Sequence, residues 1–357
     1  MRYDIGVLEG DDIGLEVVPE TVKVLKAAVA REAGLEVAFH PFPVGWSSYQ
    51  RHGHALPPET VEGLRAMHGF VLGPIGHAAY PKGDPNLVNA HPILRKRFDL
   101  YANLRPTRSY AQLPSLHQGV DLLIVRENNE GFQPDRNMLA GSGEFQPTEE
   151  SAFSIRVITR RGSERVARAA FEAAMRRRKR VTAIHKRTVF KLTDGLFMGC
   201  VERIARDYPE VALDDYQVDT FAMHLVMRPQ AFDVVLCTNM FGDILSDEAA
   251  GLVGGLGMAP GLNVGDTQAM AQATHGSAPD IAGKGIANPY AMIVSGKMLL
   301  DWLGARHADE RMLAAARRID DAVTRVIAEG ARLTRDLGGT STTGEMGSAI
   351  ADACGRV

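Results

Sequence analysis

Cysteine is scarce in this chain. Its 357 residues include three, Cys200, Cys237 and Cys354, odd in number and without CxxC spacing. That argues against a disulfide framework and against a zinc site, and makes a reduced, cytoplasmic protein the default expectation. Long apolar runs are also missing. None approaches the roughly 20 residues needed to span a bilayer, and the opening MRYDIGVLEGDD has no signal-peptide apolar region. No charge sign dominates. Lys plus Arg number 40 and Asp plus Glu 43, a net charge of -3, too balanced to mark the whole chain as a nucleic-acid or membrane-surface binder. There is no GxxxxGK[ST] phosphate loop, and Gly254-Gly-Leu-Gly257 lacks the full GxGxxG spacing and its flanking strand and helix. The basic run from Arg176 to Arg180 closes a predicted helix, where cations meet the negative dipole end and solvent.

What is present is ordinary globular composition, 45% apolar and 23% charged. At roughly 100–200 residues per domain the length allows two lobes or one large α/β unit. Strand-type runs at Tyr3–Leu8, Phe70–Leu72, Val120–Val125, Val181–His185, Ala212–Asp219 and Phe232–Cys237 alternate with stretches of helical spacing. Those helical stretches are Ile13–Val29, Pro57–Met67, Ser163–Arg177, Asp194–Asp207, Asp243–Leu252, Ala291–Leu303 and Asp309–Glu329. The alternation predicts an α/β fold, a mostly parallel sheet flanked by helices. Phe153, Ile155 and Val157 alternate with polar neighbours after the Gly/Pro-rich stretch Pro134–Pro147. That is the pattern of a half-exposed antiparallel strand. It fits either a dimer arm or a surface loop with an edge strand.

Polar residues stand where predicted strands end: Arg126 after Leu122–Val125, Lys186 after Val181–His185, Asp219 after Ala212–Val218, and Asn239 and Asp243 after Val234–Cys237. Ligands of open parallel sheets bind off these ends. Asp243 and Asp247 are four apart and share one helix face. With Asp219 they make a carboxylate set suited to a hard cation, Mg²⁺ or Mn²⁺. By spacing alone, Asp243 as a helix cap and Asp247 as a surface acid is the competing reading. Arg95, Arg105 and Arg126 can form a guanidinium cluster for carboxylates, although Arg95, beside Lys96 and Arg97, also reads as part of a salt-bridged helix face. Arg105 and Arg126 each end an apolar run. A metal, several arginines and a lysine together point to a small, multiply anionic substrate.

The stretch Asn239-Met-Phe-Gly-Asp-Ile-Leu-Ser-Asp247, continuing to Gly257, closely resembles the signature of the isocitrate/isopropylmalate dehydrogenase family. So do Tyr101-Ala-Asn-Leu-Arg-Pro106, Val125-Arg-Glu-Asn128 with Glu130-Gly131, and the segment from His275 to Pro289. Gly10-Asp-Asp-Ile-Gly-Leu-Glu16 is similar to the family's opening GDGIGPE, and Asp336-Leu-Gly-Gly339 to its C-terminal segment. The resemblance implies a two-domain isopropylmalate dehydrogenase-like fold with a mixed parallel sheet, not the Rossmann dinucleotide-binding fold. Residues 1–100 plus 253–357 would form the large cofactor-binding domain. Residues 101–252 would form the substrate, metal and dimerisation domain, with an arm at about 134–160. It implies a homodimer with shared active sites that oxidises a hydroxy dicarboxylate and releases CO₂. Arg95, Arg105 and Arg126 would hold substrate carboxylates, and Asp243 and Asp247 the metal. Asp219, also a metal ligand, and Lys186, the general base, would come from the partner subunit. His275, Gly276, Ser277, Ala278, Asp280, Ile281 and Asn288 would bind the cofactor. Asp280-Ile281 matches the family's NAD determinant, since a carboxylate there accepts from ribose hydroxyls and repels a 2′-phosphate.

Three departures stand out. The position of the family's catalytic tyrosine is Gln133, which cannot act as an acid at neutral pH. The family's Lys-x-Asn is Lys186-Arg-Thr188, and the opening motif has Asp12 for Gly and Leu15 for Pro. The substrate-selecting segment Asn86–Arg95 lacks the leucine pair of isopropylmalate enzymes and the Ser and Asn of isocitrate enzymes. Its Asn89 and His91 favour a polar 3-substituent, unless His91 merely caps the helix. The expectation is therefore NAD- and Mg²⁺- or Mn²⁺-dependent oxidation of a 3-substituted malate. Tartrate, D-malate or homoisocitrate as substrate, or a catalytically impaired regulatory relative, are the alternatives.

Overall fold

The computed structural model describes residues 2–133 and 138–356. Strands β1 (Arg2–Leu8), β2 (Glu36–Pro41), β3 (Gly69–Leu72), β4 (Ala102–Arg108) and β5 (Asp121–Glu127) come first, followed by the hairpin β6 (Glu144–Thr148) and β7 (Ser151–Ser154). Then come β8 (Arg180–His185), β9 (Ala212–Gln217), β10 (Val234–Cys237), β11 (Leu262–Val264) and β12 (Ala269–Ala271). All but the hairpin join one ten-stranded sheet in the order β2-β1-β3-β12-β11-β4-β5-β10-β8-β9. Two parallel blocks meet at its centre, where β11 runs antiparallel to both β12 and β4, and β4 antiparallel to β5. Chain order is split accordingly. Strands before residue 73 and after 261 make one half of the sheet, and strands from 102 to 237 make the other.

Helices cover both faces. In the first half they are α1 (Gly14–Val29), α2 (Gly45–His52), α3 (Pro58–Arg65) and α4 (Ala90–Arg97). In the second half they are α5 (Arg160–Met175), α6 (Thr193–Ala205), α7 (Val218–Met227) and α8 (Asn239–Val253). The chain closes with α9 (Tyr290–His307), α10 (Glu310–Glu329) and α11 (Thr343–Cys354), which return to pack with α1. Strands β8 and β10 are buried along their apolar length because helices cover them on both sides. Phe171 of α5 and Phe197 of α6 pack on one face with Val181 and Leu236, and Phe221 of α7 and Leu245 of α8 on the other with Ile184 and Val235. Each such side chain contributes about 1.5–3 kcal/mol on burial. The caps are local: Asn89 accepts from His91 N–H at the start of α4, and Thr159 from Gly162 N–H at the start of α5. Among the described residues no helix is long and apolar enough to cross a membrane.

Several expectations change here. Asp219 does not end a strand: β9 stops at Gln217, and Asp219 sits in the first turn of α7. Arg126 does not stand beyond the end of its strand: it lies within β5, as Arg105 lies within β4, and the two strands are paired. Pro106 obscured β4 in the sequence. It is tolerated because β11 pairs only with Ala102–Leu104, leaving that side of β4 open at Pro106. Helix α8 starts at Asn239 behind Thr238, so Asp243 is a second-turn residue and not a cap. His91 is not the cap of α4 either, since Asn89 holds that position. The run Phe153–Val157 is not one strand. β7 pairs with β6, most of which lies in the Gly/Pro-rich stretch, and Val157 then bridges Gly131. Residues 134–137 of that stretch lie outside the described residues. The basic run is consumed locally: Arg177 engages Asp121 and Asp233, Lys179 engages Glu210 and Arg180 engages Asp214.

Candidate active site

The register of β4 and β5 places Asn103 opposite Arg126. Arg105, two residues on, therefore projects from the same face as a diagonal neighbour of Arg126. Both guanidiniums are buried and converge on α8. Arg105 Nη1 donates to Asp243 Oδ1 at 3.0 Å and to Ser246 Oγ at 2.6 Å, and lies 3.8 Å from Asp247 Oδ1. Arg126 Nη1 pairs with the same Asp243 oxygen, and its Nη2 donates to Asn239 Oδ1 at 2.7 Å. Gly242 permits this approach, because a Cβ there would stand 2.7 Å from Arg126 Cβ and Cγ.

Burial pushes the Asp243 carboxyl up, but Arg126, Arg105 and Arg95 outweigh it and hold the group below its ordinary value. Asp247 moves the other way, raised by burial and by Asp243 despite Arg105. Both carboxylates remain about half exposed, at 51% and 54%. Paired carboxylates on one helix face suit Mg²⁺ or Mn²⁺, which take one or two protein carboxylates and complete their shell with substrate oxygens and water. Arg105 Nε is buried with no hydrogen-bond partner among the described residues, a donor available to an anionic ligand.

Around this centre, Gln133 Nε2 donates to Asn239 Oδ1 at 3.1 Å. Arg95 is buried and donates to Gln272 Oε1 at 3.0 Å. The His91 ring lies 3.4 Å from Gly73 O. Burial and the nearby Arg95 cation hold its pKa down to about 3, so it is neutral. The Asn89 amide faces His77 at 3.4 Å. Asp219 and Lys186 are paired with each other, Nζ to Oδ1 at 2.8 Å, and the lysine holds the largely exposed carboxyl below its ordinary value. Among the described residues no three His, Cys, Asp or Glu side chains gather as a metal site. Within one chain, then, Asp219 does not join Asp243 and Asp247. Thr188, in the place of the family asparagine, donates to Gln217 Oε1 at 2.6 Å.

The segment 275–288 is held between the two ends of the chain. Ile13 N–H donates to Ser277 O at 3.2 Å and Gly283 N–H to Glu16 at 2.6 Å. Asn288 donates to Asp336 at 2.9 Å. Gly276 and Asp280 are exposed, Ala278 and Ile281 half-buried. His275 Nε2 is buried without a partner among the described residues, and burial holds that imidazole below its usual value. An orphaned buried ring nitrogen in this segment fits a polar ligand such as a nucleotide. Asp12, at the family's glycine, adopts φ 51, the left-handed region that aspartate tolerates better than most side chains.

Sequence reasoning missed Ser246, Gln272 and Glu127. Ser246 had a signal, since it lies three residues after Asp243 on the same face. Glu127 had none. It is buried, accepts from the backbone N–H of Asn129 and Glu130 at 2.7 and 2.9 Å, and lies 3.4 Å from Asn239 Nδ2.

Comparison with known proteins shows the family. The family model described as isocitrate/isopropylmalate dehydrogenase matches residues 4–350. An isocitrate/homoisocitrate dehydrogenase of Thermus thermophilus is 45% identical over 99% of both chains. A 3-isopropylmalate/3-methylmalate dehydrogenase of Methanocaldococcus jannaschii is 41% identical over 98% of both. The crystal structure of isocitrate dehydrogenase from Methylococcus capsulatus superposes with a TM-score of 0.86 at 40% identity, covering 99% of each chain.

Proposed function

This chain belongs to the isocitrate/isopropylmalate dehydrogenase family, and from that premise we propose that it oxidises and decarboxylates a malate bearing a polar, carboxylate-containing 3-substituent. NAD would be the acceptor and Mg²⁺ or Mn²⁺ the metal. The observation that carries this reading is the convergence of two buried guanidiniums on Asp243, with Asp247 beside it. Cations fixed in that way bind carboxylates, and carboxylates placed in that way bind a hard cation. The choice of substituent rests on the start of α4, where Asn89 and a neutral His91 replace an apolar wall. Isocitrate and homoisocitrate fit that surface better than isopropylmalate does.

Within this reading Arg95, Arg105 and Arg126 bind and orient the substrate carboxylates. Asp243 and Asp247 of one subunit, with Asp219 of the other, would hold the metal, which when bound supplies polarisation of the substrate hydroxyl and of the developing enolate oxygen. Lys186, across the same interface, takes the hydroxyl proton. A bound nicotinamide would supply the hydride acceptor for C2; the β-keto acid would then lose its 3-carboxylate as CO₂, leaving an enolate carbon that needs a proton. Gln133 cannot supply it from an amide. It holds Asn239 instead, and solvent protonates the carbon. Asp280 accepts from the ribose hydroxyls and disfavours NADP.

The two-domain division at residues 1–100 plus 253–357 and 101–252 belongs to the same proposal, supported by the split strand order. So does the homodimer. Met223, Val226 and Met227 of α7 and Met240 and Ile244 of α8 are exposed apolar side chains on neighbouring helices, and the exposed Phe145 and Phe153 rings stack on the hairpin at 5.3 Å. A second copy would cover both.

The test is NADH formation with Mg²⁺ or Mn²⁺ against isocitrate, homoisocitrate, 3-isopropylmalate, D-malate and tartrate, with CO₂ captured in parallel and NADP as a control. Turnover fastest with the first two, stoichiometric CO₂ and preference for NAD are expected. Faster turnover of isopropylmalate would overturn the substituent assignment. NADH without CO₂ would mean that Gln133 stops the reaction at the keto acid. Dinucleotide binding without any turnover would favour a regulatory relative.

A further inference from the structure

Arg156 and Asp194 form a buried ion pair outside the residues assigned to the proposed site. Arg156 follows the hairpin, and its side chain is only 7% exposed. Its Nη1 meets Asp194 Oδ1 at 2.6 Å, and the Asp194 side chain is fully buried. Arg156 also donates to Thr193 Oγ1 at 3.1 Å and to Thr238 Oγ1 at 3.2 Å. Its guanidinium lies 4.9 Å from the centre of the Phe190 ring, 5.4 Å from Phe241 and 5.8 Å from Phe132. The other carboxylate oxygen of Asp194 accepts the backbone N–H of Lys186 at 2.5 Å.

We propose that Arg156 and Asp194 are a positioning pair for Lys186, a role that rests on reading Lys186 as the proton acceptor. Lys186 is gripped at both backbone groups: its N–H by Asp194, and its carbonyl by the N–H groups of Val189 and Phe190, each at 2.9 Å. Phe190 O in turn accepts Asp194 N–H at 3.0 Å, which closes a ring of bonds around the end of β8. Arg156 anchors that ring to two other segments. Thr238 immediately precedes Asn239, and Phe132 immediately precedes Gln133, so one guanidinium lies against the neighbours of two groups in the proposed site and, through Asp194, holds a third, Lys186. The Gly131–Val157 bridge, with bonds of 2.8 and 3.0 Å, holds Arg156 against the Gln133 segment.

A buried ion pair is a poor way to gain stability, because desolvation offsets much of its attraction, and well-packed apolar residues often serve as well. This pair does have a geometric effect. It fixes where β8 ends, and with it the root of the Lys186 side chain. Arginine suits the place because a planar fork serves three oxygens while its faces lie against aromatic rings, and lysine cannot do both.

The experiment is a double-mutant cycle on the full-length protein. Asp194→Asn and Arg156→Lys are each made in the wild type and in Lys186→Ala, with circular dichroism confirming the fold. In the wild type each should lower kcat about 10- to 100-fold, the scale of a misplaced reacting group, while KM for hydroxy acid and dinucleotide stays within about 3-fold. In Lys186→Ala the same substitutions should cost less than about 2-fold. Equal losses in both backgrounds overturn the proposal. A second arm is independent of turnover. The rate at which a soluble N-hydroxysuccinimide ester acylates Lys186, read by peptide mass spectrometry, should rise at least about 3-fold in folded Asp194→Asn, with Lys82 and Lys96 unchanged. An unchanged Lys186 rate overturns the proposal. If the wild type oxidises none of the hydroxy acids, the functional reading fails, and the labelling arm alone decides whether the pair holds Lys186.

Discussion

The two groups of charged residues near α7 and α8 are built differently. Arg105, Arg126, Asp243, Ser246 and Asn239 form a closed network. Its cations are buried, most of its polar contacts lie within the chain, and a motif glycine is spent on letting arginine and helix approach. Lys186 and Asp219 share a single bond of 2.8 Å on a more open surface, the aspartate side chain 65% exposed. The first arrangement is a fixed cluster of buried cations around a carboxylate, the second an open pair with room for further partners. Under the proposed function the contrast has a meaning: one chain would complete the receptor for the substrate, and a second copy the machinery that acts on it, as a shared site in a symmetric dimer requires.

Two experiments strike at this contrast. Lys186→Met should lower kcat about 10²- to 10⁴-fold, the usual share of a general base, and move stability by less than about 0.5 kcal/mol. Arg126→Met should raise KM steeply and also cost about 3 kcal/mol, the low end for breaking a buried pair because Asp243 is half exposed. Urea melts alongside steady-state kinetics separate the two patterns, and a large stability loss in Lys186→Met would erase the distinction. Mixing tests the sharing directly. Lys186→Met and Asp243→Asn proteins, each inactive, are unfolded together at equal amounts and refolded. Random pairing makes half the dimers mixed, each with one intact site, so roughly a quarter of wild-type activity should return. No recovery would place the whole site within one chain.

The preorganised group was the more legible of the two. Asn239, Asp243 and Asp247 fall on one helix face by spacing alone, and Ser246 could have been added by the same rule. Arg105 was recognised as a candidate, but its strand was hidden by Pro106, harmless only because β11 stops short, a tertiary fact no local pattern contains. Asp219 was misplaced because Ala212–Asp219 reads as one alternating run and α7 begins with no side-chain cap to announce it. Arg156 and Asp194, 38 residues apart, belong to no motif, and their pairing exists only once the segment after the hairpin has reached the start of α6. Residues whose role is to hold other residues leave little trace in sequence, because their partners are set by topology and not by spacing.

A subtler difference concerns pH. The buried region contains a second pair of acids at the root of the hairpin, Glu127 and Glu130. Burial, and then the neighbouring Glu127, push Glu130 up to about 7, despite its bonds from Thr159. Its ordinary value is 4.5, so between these limits the folded protein binds more protons than the unfolded chain. Stability should therefore be highest below the ordinary value and fall as pH rises towards about 7, by up to roughly 3 kcal/mol. Glu130→Gln, which stays neutral, should flatten that slope. Urea midpoints at pH 5 and pH 8 measure it, and an unchanged slope in the variant would assign the pH dependence elsewhere. The Lys186–Asp219 region, open to solvent, should add little to it.

The smallest effect tests how finely the closed network is tuned. Ser246 Oγ accepts from Arg105 at 2.6 Å and donates to Asp243 O at 2.9 Å, so it links the guanidinium to the helix that carries both aspartates. Ser246→Ala removes that link while leaving every charge in place. Losing one hydrogen bond to a charged donor should cost about 1.5 kcal/mol of stability, the low end because Arg105 keeps its bond to Asp243. Arg105 keeps its bond to Asp243 and gains freedom to turn towards Asp247, 3.8 Å away. KM for the hydroxy acid should then rise about 3- to 10-fold with kcat nearly unchanged, because the loss falls on binding in ground state and transition state alike. If kcat falls with KM constant, Ser246 orients the reacting centre itself. The division between a region that receives the substrate and a region that transforms it would then be less sharp than the geometry implies.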